Sequence, residues 1–195
     1  MHLGGAIRSL EGHPYLHFDV EDGNFVPNIT FGLKTIRAAA AICKARMDAH
    51  LMVTNPLDYL EPLASAGFAA VAFHWESTGY PMRVLNRIHK LRMQAGIALN
   101  PCTSAEVIRP YVQTVEYVLV MTSEPDGEGD LFQPAMLDKI KSLSEMSQGR
   151  FEIIVDGGIG EKEFPLVREA GATSVVMGRT VFQSEDPIST IDKFK

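Results

Sequence analysis

His17 and Asp19 stand two residues apart in the run Tyr15-Leu16-His17-Phe18-Asp19-Val20, which reads as a short strand closed by Glu21-Asp22-Gly23. Side chains on a strand alternate faces, so the imidazole and the carboxylate project one way and Leu16, Phe18 and Val20 the other. The break at Asp22-Gly23 puts the pair near the carboxyl end of its strand. An imidazole beside a carboxylate at such an end can serve as metal ligands or as an acid/base pair. Equally, it can be a hydrogen-bonded couple that holds a turn. Similar groups close other apolar runs: Asp48 and His50, His74 and Glu76, Asn100, Thr122 and Ser123, Asp156, and Gly178 with Arg179.

The elements that must position these groups alternate in kind. Residues 15–20, 47–52, 70–75, 97–100, 117–122, 151–156 and 174–178 read as buried strands. The stretches 32–46, 56–66, 81–95, 104–115, 133–147 and 161–170 read as helices. Pro56 and Pro81 sit where a first helical turn accepts proline, and Gly67, Gly96 and Gly171 follow alanines as left-handed caps would. Strand and helix alternating every 20 to 35 residues or so mean βα units on a parallel sheet. Polar groups gathered at strand carboxyl ends fit an α/β fold of the (β/α)₈ TIM-barrel type, whose sites form on that face. A doubly wound sheet also binds ligands there, but no Gly-x-Gly-x-x-Gly follows the first strand, so a barrel is expected.

Closure of such a barrel takes eight strands, and seven are read here. The chain opens on a helical stretch, residues 3–10, where a strand belongs. The expectation is a barrel lacking its first strand in this chain. Either the sequence begins at an internal methionine, or another segment fills the gap.

Composition sets the remaining bounds. A chain of 195 residues with 46% hydrophobic content can bury a full core as one domain spanning 1–195. A net charge of -6 with no basic stripe argues against a nucleic-acid partner. No apolar run approaches about 18 residues and the N-terminus lacks a signal-peptide core, so no membrane partner and a cytoplasmic location are expected. Cys43 and Cys102 form no paired motif, in keeping with a reducing compartment.

Three segments carry a resemblance: His17-Phe18-Asp19-Val20-Glu21-Asp22-Gly23-Asn24-Phe25-Val26-Pro27-Asn28, Asp48-Ala49-His50-Leu51-Met52, and Val155-Asp156-Gly157-Gly158-Ile159. With Asn100-Pro101, Thr103 and Met121-Thr122, and in this order, the chain resembles the ribulose-phosphate 3-epimerases, metal-dependent (β/α)₈ isomerases. The likeness implies a ribulose-phosphate-binding barrel in which His17, Asp19, His50 and Asp156 hold one divalent metal ion. Zinc is the first choice, with iron, manganese and cobalt as alternatives. Asp19 and Asp156 are implied as acid and base: one removes the proton beside a ketone, a planar enediolate forms, and the other protonates the opposite face. The default pair is D-ribulose 5-phosphate and D-xylulose 5-phosphate. A homo-oligomer is implied as well.

The same resemblance gives Met52 as apolar lining, and in a barrel of this kind the backbone N–H groups of the last loops take a phosphate, with Gly127, Gly129, Gly157, Gly158, Gly178 and Arg179 as candidates. Here the chain departs from its relatives. Asp126-Gly127-Glu128-Gly129-Asp130 stands where a Gly-Phe-Gly-Gly-Gln run is usual, Arg179 replaces a frequent serine, and Glu21 replaces a methionine. His74 has two readings, a substrate contact or a structural role. The enzyme's rival is an inactive or N-terminally incomplete relative that binds a sugar phosphate without turnover. Orotidine decarboxylase and hexulose-phosphate synthase barrels share the plan but carry a lysine that residues 48–53 lack.

Overall fold

A computed structural model describes residues 2–125 and 131–195. Seven strands form one parallel sheet in strict sequential order. They are β1 (Tyr15–Glu21), β2 (Arg46–Met52), β3 (Ala70–His74), β4 (Gln94–Leu99), β5 (Tyr117–Met121), β6 (Glu152–Asp156) and β7 (Ser174–Val175). Unbroken order is that of a barrel, because a doubly wound sheet reverses direction at a switch point. Among the described residues no ladder joins β7 back to β1, so the sheet is a curled half-barrel.

Period-two alternation gives each face of the sheet its own apolar layer. On the outer face Phe18, Leu51, Val71, Ile97 and Val118 pack against Ile36, Leu60, Leu85, Ile88 and Ile140 of the helices. On the inner face Ala70, Ala72 and Ala98 face Tyr117, Leu119 and Met121, small residues opposite large ones. Gly96 belongs to that pattern: a Cβ there would collide with the Tyr117 ring. Its expected role as a helix cap is therefore corrected, and Arg92, at φ 62°, takes the left-handed position instead.

The helices are α1 (Leu3–Ser9), α2 (Leu33–Ala40), α3 (Leu57–Ser65), α4 (Pro81–Lys90), α5 (Met136–Ser147), α6 (Glu163–Ala170), α7 (Gly178–Phe182) and α8 (Pro187–Asp192). Several boundaries differ from expectation; the helix expected over 81–95 ends at Lys90, because Gln94 and Ala95 are already taken into β4. The helix expected over 104–115 is a 3₁₀ helix, Ala105–Tyr111, because Pro110 has no N–H to donate and disfavours α geometry at Arg109. The helix expected over 32–46 ends at Ala40, since Arg46 is drawn into the sheet with its N–H on the Pro14 carbonyl. The last strand is two residues long, and Gly178 opens α7 in place of ending β7.

Candidate active site

Register brings the expected ligands together. β1 and β2 pair with His17 opposite Asp48 and Asp19 opposite His50, and Asp156 closes β6. One ligand atom from each of His17, Asp19, His50 and Asp156 lies within 4.8 Å of all the others. Asp19 Oδ1 is 3.4 Å from His17 Nε2 and 3.3 Å from His50 Nδ1. Asp156 Oδ2 is 3.6 Å from the same His50 nitrogen. These separations are long for N–H···O bonds.

The donors fit a divalent cation. Among the described residues His17 Nε2 is buried without a hydrogen-bond partner, while its Nδ1 contacts the Asp48 carboxylate. One ring nitrogen held by a carboxylate and the other left bare toward two acids is how metal-ligating histidines are oriented. Two imidazole nitrogens and two carboxylates form a mixed N/O set suited to first-row divalent ions.

Electrostatics point the same way. Burial opposes charge on each group, lowering the imidazoles and raising Asp19. The neighbours outweigh it. Asp48 and Asp19 hold His17 well above the ordinary imidazole range, and Asp156 and Asp19 raise His50. In return the two imidazoles hold Asp19 far below the usual carboxylate range. The cluster thus favours positive charge at its centre.

A cavity of about 380 Å³ opens beside the cluster, within the size range of small-ligand sites. Asp19 and Asp156 reach its wall from well-separated strands, and Met52 and Met121 add apolar surface. Asp19 keeps 41% of its side chain exposed and Asp156 only 16%. Gly157, Gly158, Gly178 and Arg179 line the same cavity. Glu21 joins them, its carboxyl pushed up by burial and by Asp19. Gly127 and Gly129 lie outside the described residues.

The glycine rim depends on backbone geometry. Gly157 and Gly158 have φ of 113° and 67°, conformations that L side chains rarely adopt. A Cβ on Gly157 would also collide with Ser123 Oγ and sit 2.7 Å from the Ser123 nitrogen. Thr122 pins the neighbouring turn, its N–H and hydroxyl both donating to the Asp156 carbonyl, at 2.6 and 3.0 Å.

His74 does not reach the cavity. Its Nε2 lies 2.9 Å from His50 Nε2, both residues are fully buried, and Phe25 covers the His74 ring at 4.7 Å between centroids. Asp48 and Asp22 carry more of the site than sequence reasoning assigns them. Asp48 stands two residues before His50 and so on the same face, a signal present in the sequence. Asp22 ties two loops together: Oδ1 accepts the N–H groups of Asn24 and Phe25, and Oδ2 the N–H and hydroxyl of Thr54, all at 2.8 Å.

Comparison with known proteins adds findings of three kinds. Residues 1–182 match the model of the ribulose-phosphate 3 epimerase family. The cytoplasmic isoform of ribulose-phosphate 3-epimerase from Oryza sativa subsp. japonica is 39% identical over 188 residues, covering 94% of this chain and 82% of that protein. The ribulose-phosphate 3-epimerase of Schizosaccharomyces pombe is 38% identical over 183 residues, 92% of this chain and 80% of that one. Among solved structures, orotidine 5'-phosphate decarboxylase from Pyrococcus horikoshii superposes with a TM-score of 0.67. That match covers 98% of this chain and 90% of the other at 12% identity, a likeness of fold alone. Among the described residues no helix is long and apolar enough to cross a membrane.

Proposed function

The chain belongs to the ribulose-phosphate 3-epimerase family, a family of isomerases, and from that premise we propose that it inverts C3 of a ketose phosphate. D-ribulose 5-phosphate and D-xylulose 5-phosphate are the proposed pair, in the cytoplasm. The observation that carries this reading is the pair Asp19 and Asp156, on β1 and β6, both lining one cavity and both clustered with the imidazoles of His17 and His50.

His17, Asp19, His50 and Asp156 would hold a divalent ion, zinc before iron, manganese or cobalt. When bound, such an ion acidifies the C–H beside the ketone by drawing electron density from the substrate oxygens. The chain's own residues do the rest. One carboxylate accepts the C3 proton, leaving a planar enediolate, and the other returns a proton to the opposite face. The two imidazoles weaken Asp19 as a base by holding it far below the usual carboxylate range, so acidification of the substrate has to outweigh that loss. Met52 and Met121 give the carbon skeleton a dry wall, while Arg179 and the Gly157, Gly158 and Gly178 backbone receive the phosphate.

The test is purified chain incubated with D-ribulose 5-phosphate in deuterium oxide, with metal content measured in parallel. Deuterium at C3, growth of D-xylulose 5-phosphate and one metal ion per chain are expected. Full metal occupancy with no exchange into any ketose phosphate would instead identify a binding protein without turnover.

A further inference from the structure

Behind His50 runs a line of hydrogen-bonding groups that begins in the buried pair His50 and His74. His50 Nε2 meets His74 Nε2 at 2.9 Å, and His74 Nδ1 lies 3.2 Å from Glu76 Oε2. The other oxygen of Glu76, Oε1, accepts the Asn100 N–H at 2.9 Å and the Thr103 hydroxyl. Lys139 steadies the end of the line by donating to the Asn100 and Pro101 carbonyls, both at 2.8 Å.

Donor and acceptor rules give this line a direction. A carboxylate only accepts, so His74 carries its proton on Nδ1 and donates it to Glu76. Two ring nitrogens 2.9 Å apart share a single proton, and a His74 ring that already carries its proton on Nδ1 offers Nε2 as the acceptor. His50 Nε2 must then be the donor. The proton left for His50 to give up is the one on Nδ1, the nitrogen facing Asp19 and Asp156.

We propose that His74 and Glu76 are positioning residues that lock His50 in the tautomer with Nε2 protonated and Nδ1 bare, so that a divalent cation can be bound there. The inference rests on the metal reading of the same site. It assigns a purpose to a buried histidine and a glutamate that do not line the cavity.

Glu76→Gln tests it, because the structure dictates how the new amide sits. Oε1 remains the acceptor for Asn100 and Thr103, so the amide NH₂ takes the position facing His74 Nδ1. That reverses the line: His74 then donates from Nε2, His50 Nε2 accepts, and the remaining His50 proton moves to Nδ1 and blocks the ligand position. Zinc affinity of the full chain, measured by competition with a chelator, is expected to fall about 10- to 100-fold, the usual cost of losing such a partner. Long-range proton–nitrogen spectra of the zinc-loaded unsubstituted chain should show His50 protonated at Nε2 and His74 at Nδ1.

A double-substitution cycle separates this role from loop anchoring. With His74→Phe in place, adding Glu76→Gln should change zinc affinity no further, since Glu76 acts through His74. An unsubstituted chain that binds no zinc overturns both the metal reading and this inference. Three results overturn this inference alone: zinc bound equally by the unsubstituted and Glu76→Gln chains, a Glu76→Gln effect undiminished in the His74→Phe background, or a His74 proton on Nε2.

Discussion

The two walls of the cavity are built on different principles. The wall bearing Asp19 and Asp156 is made of strand side chains, and each of the imidazoles behind it has a second, fixed partner. Asp48 holds His17, and His74 holds His50. The second wall, around Gly157, Gly158, Gly178 and Arg179, is made of turns and the five-residue helix α7. A small cation demands donor atoms placed within tenths of an ångström, which strands and buried partners supply. A phosphate dianion is larger and accepts bonds from many directions, so backbone and one guanidinium suffice. The first wall should fail by loss of a side-chain function, the second by loss of backbone shape.

The sharpest way to break that contrast is Asp156→Asn. The amide keeps the shape but can neither accept the C3 proton nor carry charge, so turnover should drop on the order of 10³-fold. Steady-state kinetics would read it, and near-unchanged kcat would show the chemistry lies elsewhere. On the second wall Arg179→Ala should raise KM about 10- to 100-fold, the worth of a charge-assisted hydrogen bond, with kcat little altered. A matching fall in kcat would put Arg179 in the chemical step and erase the distinction. Gly157→Ala tests backbone shape directly. The new Cβ meets Ser123 in a conformation already unfavourable for alanine, so about 1–3 kcal/mol of stability should be lost in denaturant titrations.

The contrast also explains what is legible in the sequence. Period two puts His17 with Asp19, and Asp48 with His50, from the sequence alone, and the order of motifs adds Asp156 to them. The inner and outer faces of β1–β6 follow for the same reason. The ends of elements do not. Gly96 looks like a cap in sequence, yet it is needed inside β4 because Tyr117, its partner in register on β5, fills the space a side chain would take. The rim at Gly178 reads as strand because Val175, Val176 and Met177 are apolar, whereas only Ser174 and Val175 find a ladder on β6. The line from His74 to Glu76 is ambiguous in sequence because its meaning depends on which nitrogen faces which oxygen.

The smallest expected effect joins the two kinds of construction. Asp22 is a side chain that does backbone work, fixing the turn that lays Phe25 over His74. Burial pushes its carboxyl up, but the N–H groups of Thr54, Phe25 and Asn24 and the Thr54 hydroxyl prevail and hold it down to about 2. An unfolded aspartate titrates near about 3.9, so ionisation of Asp22 favours the folded state. That contribution is complete above about pH 4 and fades as acid titrates through about 2, where the folded and unfolded chains are both protonated. Asp22→Asn, which turns a donor toward Thr54 or toward the Asn24 and Phe25 amides, should cost about 1–3 kcal/mol near neutral pH. Denaturant titrations of the two chains should converge as pH is lowered from about 5 toward about 2, since only one of them titrates at this position. A gap that stays constant over that range would mean the turn is held by shape and not by charge, and that the first wall's reliance on ionised side chains stops at the metal cluster.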